Sequence, residues 1–258
     1  PVATWNPFPH PEAAYRYTAA SLKKNWDRLH VGDAEPWPAD AAVQQAWIHF
    51  HAGDFQKAQQ AGLKAGGAGI TVANKAEAMY ATYLVDDDAE KLAIFQAIAG
   101  RAEAQARAEP LNPNAHYWMA YALGRYSQGI SVAKALSQGL GTKVKGALET
   151  TIKLQPAHAD AHIALGTFHA EVIDKVGKLL GKTQGADAAT GLKLLKRALE
   201  LNPASAIGRV EYANGLVMLE GDKRMKDAER LYAEAAACEP VDAMERLDVE
   251  MAREELDD

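Results

Sequence analysis

Three stretches of this chain are variants of one phrase: LETTIKLQP, LKRALELNP and RLYAEAAACEP, ending at Pro156, Pro203 and Pro240. Each has apolar residues at helical spacing and then a proline, which lacks the N–H a helix needs and clashes with the turn before it. Pro113, in EPLNP, marks one more boundary upstream. After three of these prolines a second helical pattern follows with a small residue in its middle, Gly124, Gly166 or Ala213. A helix pair that recurs every few tens of residues cannot bury its apolar face alone and must stack on its neighbours. The expected architecture is therefore all-α, a superhelical solenoid of antiparallel helix pairs with about twelve helices and no strand.

The pattern divides the chain as follows. Residues 1–11, PVATWNPFPHP, hold four prolines and two large aromatics, Trp5 and Phe8, and are expected to form an extended arm. An N-terminal helix is expected over 12–30, then hairpins over 39–65, 72–108, 114–156, 157–203 and 204–240, and an acid-rich capping helix over 241–256. Residues 12–256 are expected to form a single solenoid.

With 48 % apolar residues and no apolar run near the ~18 residues of a membrane span, the composition is that of a globular chain without such a span. One cysteine, Cys238, cannot form an internal disulfide and points to a reducing compartment, hence the cytoplasm. The chain begins at Pro1 rather than Met, so a signal removed upstream would place it in a periplasm instead. Charge is uneven. Residues 242–258 hold eight acidic and two basic residues, whereas Arg125–Glu200 holds eleven basic and six acidic ones. Opposed charges of this kind are a route to head-to-tail self-association, and the aromatic arm is a second one.

The hairpins resemble the tetratricopeptide repeat (TPR). That family has a large-then-small pair in its first helix, matched by Leu123-Gly124, Leu165-Gly166 and Tyr212-Ala213. Its second helix has a small residue, an aromatic or Leu, a small residue and a closing Pro. Ala228, Tyr232, Ala235 and Pro240 match, as do Gly191, Leu195, Ala198 and Pro203. The resemblance implies a right-handed superhelix. The proline spacings of 43, 47 and 37 exceed the repeat's usual length of about 34, and the extra residues fall in Ser127–Lys143 and Ala170–Ala189. With NAHYWMAYALG and Gly129-Ile130, these insertions look like the branch typified by regulator of microtubule dynamics proteins and their bacterial relatives. The resemblance implies a protein-interaction role.

Signs of catalysis are few. Gly177-x-x-x-Gly181-Lys182-Thr183 is one residue short of a phosphate-binding loop and follows a helix, so its amides are not expected to form a cradle; Gly139-Leu-Gly141-Thr-Lys143 fails the same way. His158, His162 and His169 share one helix face, and the first two have metal-ligand spacing. They are expected to be packing residues hydrogen-bonded inside the hairpin, with no metal and no cofactor. No Ser/His/Asp set or paired catalytic carboxylates can be picked out, so the chain is read as a non-enzyme.

Sliding the repeat along the chain gives the first-helix residues expected to line a concave groove. These are Val43, Trp47 and Phe50; Trp118, Tyr121, Arg125 and Gln128; Asp160, Ile163, Thr167 and Glu171; and Val210, Asn214 and Val217. The alternative for Trp47 and Trp118 is core between repeats. The expected function is a scaffold binding a protein or peptide in that groove, with no nucleic acid as partner. Two rivals stand beside it: a small-molecule-binding protein associated with solute transport, and a structural protein that self-assembles through the N-terminal arm.

Overall fold

The computed structural model describes residues 4–257, so the first three residues of the expected arm and the last acidic residue lie outside it. The described residues hold thirteen α-helices and no strand. They divide into two compact units. The first takes the chain up to His30, then Glu35–Leu140 and Val241–Met244; the second takes Val31–Ala34, Gly141–Pro240 and Glu245 onward.

In the first unit, residues 4–12 have no regular structure and lie back on the helices that follow. The Trp5 ring stacks on Tyr80 with centroids 4.1 Å apart, and the Asn6 side chain donates to the Leu84 carbonyl at 2.7 Å. Phe8 is buried over Gly53, where a Cβ would come within 2.5 Å of its ring. Gly53 has φ +84°, so glycine is required there for conformation as well as space. The helix expected over 12–30 is shorter than its apolar pattern. A single 3₁₀ turn at Ala13–Tyr15 precedes α1 (Ala19–Leu29), because Thr18 and Ser21 form a capping box that starts the helix there.

Antiparallel pairs then follow: α2 (Ala41–His51) with α3 (Phe55–Ala65), α4 (Gly69–Tyr83) with α5 (Asp88–Ala108), and α6 (Pro113–Gln128), which packs on α5. Pro113 does not end α5; it sits in the first turn of α6, where its missing N–H has no helical partner to lose, and Asn112 caps that turn. α3 and α4 cross at Gly62 and Gly69. A Cβ at either would lie 2.4–2.5 Å from the carbonyl oxygen of the other, so only glycine permits this approach. A short helix, α7 (Val132–Ser137), occupies the first insertion and is the helix beyond the expected twelve.

The core of this unit is aromatic. Trp26, Trp47 and Phe50 pack edge to face, Phe55 lies tilted on Phe50, and His30 is stacked on Trp26 at 3.8 Å. Lys75 is buried beside them, with its ammonium 5.6 Å from the Trp47 ring and 5.2 Å from that of Phe50. His51 and Asp242 are both buried and meet at 2.7 Å. The Tyr17 hydroxyl donates to the Val241 carbonyl at 2.8 Å. The start of the acidic stretch is thus held inside the first unit.

The second unit contains α8 (Leu140–Leu154), α9 (Ala159–Thr183), α10 (Ala188–Leu201), α11 (Ala206–Glu220), α12 (Met225–Ala236) and α13 (Ala243–Asp257), the first and last of which begin just before it. Pro156 and Pro203 fall two residues after α8 and α10, and Pro240 follows α12. α9 breaks at Gly177 (φ 78°, ψ 163°) and resumes through Lys178–Thr183. Gly166 of α9 faces Leu195 and the Gly191 carbonyl of α10, where a Cβ would stand 2.6 Å and 3.1 Å away. A Cβ on Gly215 of α11 would likewise stand 2.5 Å from Leu195 Cδ1. Leu195 is fully buried between the two glycines. By contrast, a Cβ at Gly124 on α6 would meet nothing within 4 Å. In α13 Asp248 is buried and Glu250 pairs with Arg246 and Arg253.

Candidate functional site

The residues expected to line a groove fall into both units and into different environments. Trp47 and Phe50 are fully buried in the aromatic core of the first unit, and Trp118 is buried beside Tyr117 and Tyr121. Their faces are covered, so they correct the sequence expectation: all three are core. Above Trp118 the face of α6 opens. Tyr121 is half-buried, its hydroxyl 2.9 Å from that of Thr82 on α4. The Arg125 guanidinium lies 5.3 Å over the Tyr121 ring and reaches Gln128 Oε1 at 3.3 Å. Spacing of four and three residues along one helix produces this stack of Tyr121, Arg125 and Gln128.

In the second unit, Asp160 begins α9. Its backbone N–H donates to the Gly32 carbonyl at 3.0 Å, and its carboxylate lies where a Cβ on Gly32 would sit. Thr167 donates to Glu211 of α11 at 3.1 Å. Asn214 accepts from the Tyr232 hydroxyl at 2.6 Å; burial, then the charge of Glu255, pushes the Tyr232 hydroxyl above its ordinary pKa. Glu171 is half-buried on α9. Thr167 and Asn214 are thus engaged in joining neighbouring helices.

The histidine stripe serves α9. His158 is its N-cap, with Nδ1 accepting from the Ala161 N–H at 3.1 Å, and His162 Nδ1 donates to the His158 carbonyl at 2.9 Å. Among the described residues no group of three or more His, Cys, Asp or Glu is placed to hold a metal ion. The Gly177–Thr183 stretch is helical on both sides of its break, and Gly181 is buried against Ile173, so its backbone forms no anion cradle.

His169 is different, and it lies on a feature that sequence reasoning missed. A cleft of about 450 Å³ is walled by Lys145, Glu149, Ile152 and Lys153 of α8 and by Thr190 and Leu194 of α10; Leu165 and His169 of α9 also line it. Gly185 (φ +76°) turns the chain over the Lys145 stem. Asp187 caps α10 by accepting from both the N–H and the hydroxyl of Thr190, which holds its carboxyl below the usual range. The Asp187 N–H donates to His169 Nδ1 at 3.0 Å. Burial, then the Lys145 charge, pushes the imidazole pKa below its ordinary value. The neutral ring therefore carries its proton on Nε2, which makes no hydrogen bond with any described residue. The capping pattern Asp187–Thr190 was the available signal, since it sets the start of α10 beside His169.

This arrangement of helix pairs crossing at small residues and separated by prolines is that of a TPR-type helical-repeat protein. A thermophilic TPR protein of Thermus thermophilus has a similar fold. Its TM-score is 0.58 at 15 % identity, over 82 % of this chain and 97 % of that one. The family model for regulator of microtubule dynamics protein 1-3 matches residues 70–247, and the chain belongs to that family. No curated protein sequence matches it significantly. Among the described residues no helix is long and apolar enough to cross a membrane.

Proposed function

We propose that this chain is a non-catalytic helical-repeat scaffold that docks a protein or peptide partner on the open face of α6. The observation carrying this reading is the Arg125 guanidinium laid over the half-buried Tyr121 ring. Tyr and Arg dominate binding hot spots, because a pre-ordered ring and a planar cation lose little freedom on contact. Gln128, exposed one turn on, adds an amide at the rim. The family and the fold favour an interaction role, and the engagement of His158 and Asp187 in helix caps, with His162 bonded to the His158 carbonyl, favours a non-enzyme. A lone cysteine supports a reducing compartment such as the cytoplasm. The self-assembly rival is less favoured, since Trp5 and Phe8 already pack on their own chain.

The test uses the whole chain as bait in extract of its native cell, beside a Tyr121→Ala/Arg125→Ala variant. A partner retained by the wild type and then measured in purified form should bind the variant at least about tenfold more weakly, a loss of at least ~1.4 kcal/mol. Equal binding to both proteins would refute this site.

A further inference from the structure

The cleft between α8 and α10 belongs wholly to the second unit and shares no residue with the α6 face. We propose that it is a second binding site, taking a carboxylate side chain of an acidic peptide with a neighbouring aliphatic side chain.

Three observations converge on that chemistry. First, His169 is only 3 % exposed, yet one of its two ring nitrogens lacks a partner. Nδ1 is fixed as an acceptor by the Asp187 N–H, so Nε2 is a donor, and it belongs to a ring that lines the cleft. A donor that opens on the cleft and has no acceptor on the protein can be met there by an oxygen brought by a ligand.

Second, donors outnumber free acceptors around the cleft. Lys145 and Glu149 pair with each other. Asp187 is turned onto Thr190 at the helix start. Lys153 is exposed on the same face of α8, two turns beyond Lys145, and forms no ion pair within 4.0 Å of any described carboxylate. A ligand that meets both the Nε2–H and the Lys153 ammonium must offer a negative oxygen, because a second cation or donor would find no partner.

Third, Ile152, Leu165 and Leu194 line the same cleft. They suit an aliphatic group beside the carboxylate, and a pocket of about 450 Å³ is within the size range of small-ligand sites. Acidic and aliphatic side chains occur next to each other in peptides, whose extended backbone presents them at short spacing.

The test titrates the whole isotope-labelled chain with three probes: an acetylated, amidated Leu-Glu-Leu-Glu peptide, the same peptide with Gln for Glu, and free 4-methylpentanoate. The acidic peptide should shift the His169 ring and the amides of residues 185–190, and the Gln peptide should bind at least fivefold more weakly. Lys153→Met, at an exposed position, should weaken the acidic peptide several-fold without loss of fold. His169→Phe should do the same, and if that variant fails to fold, the wild-type ring shift and Lys153→Met decide the matter. Equal binding of the two peptides, shifts confined to other residues, or no effect of Lys153→Met would each overturn the proposal. Binding of 4-methylpentanoate as strong as that of the acidic peptide would overturn the peptide assignment in favour of a small-acid site.

Discussion

Gly166 and Leu195 occupy one shared volume: a Cβ on the glycine would stand 2.6 Å from Cγ of the leucine, and one on Gly215 of α11 would stand 2.5 Å from its Cδ1. Leu195 thus has no room to yield. Gly166→Leu should cost about 3 kcal/mol or more, which for a chain of this size lowers the thermal midpoint by about 6 °C or more. Gly124 holds the matching position in the repeat pattern but has open space around it. Gly124→Ala should therefore raise stability by up to about 1 kcal/mol through helix propensity alone. Calorimetry on both variants gives the two signs, and equal signs would contradict this packing.

Asp242→Ala leaves His51 buried without its carboxylate. Removing one partner of a buried hydrogen bond costs about 1–3 kcal/mol, because the survivor stays desolvated. Chemical denaturation should show a loss of that size, and hydrogen exchange should show it in α1 and α2 and not merely at the chain end. A loss below about 1 kcal/mol would mean that the pair contributes little.

The His169 ring should titrate below 6.5, its ordinary value. The groups facing it are Lys145 and Glu149 on α8 and Asp187 at the start of α10. Because the folded pKa is depressed, the unfolded chain binds the proton first as pH falls. The stability from this ring is present above about 6.5 and declines as pH drops from there through the folded pKa. His169→Gln should flatten that part of the stability–pH curve, and ring resonances followed by NMR measure the midpoint directly. A midpoint at or above 6.5 would refute it.

Phe8→Ala should destabilise the first unit by about 3–5 kcal/mol, since the ring fills the space over Gly53 and packs on Phe55. Deleting residues 1–11 should give the same loss with an unchanged mass in light scattering. A change of oligomeric state instead would restore the arm as an assembly device.

The repeat was legible because its determinants are local. Prolines end α8 and α10 two residues on, and Gly166 and Gly191 sit where the pattern requires close approach. The lining was less legible. Trp47, Phe50 and Trp118 have the helical spacing of a groove, but the same spacing describes a core, and only neighbouring helices decide between them. Gly124 shows the same limit, since a small residue permits close approach without causing it. The cleft at His169 depends on Asp187 and Lys153, residues 18 and 16 positions away, whose charges read as solvated surface in a linear scan. The His51–Asp242 contact left no trace at all, because one histidine and one aspartate 191 residues apart carry no periodicity.

That contact, with Tyr17 on Val241, sets the order in which the molecule can be finished. A repeat array usually needs only its next-door neighbours, so it can acquire structure while still emerging from the ribosome. Here segments made first contain side chains whose partners are made near the end. The nascent first unit must wait for the Tyr17–Val241 and His51–Asp242 contacts until residues 241 and 242 arrive, and closing so long a loop is slow. A chain halted before that point leaves His51, set among Trp47 and Phe50, without its carboxylate.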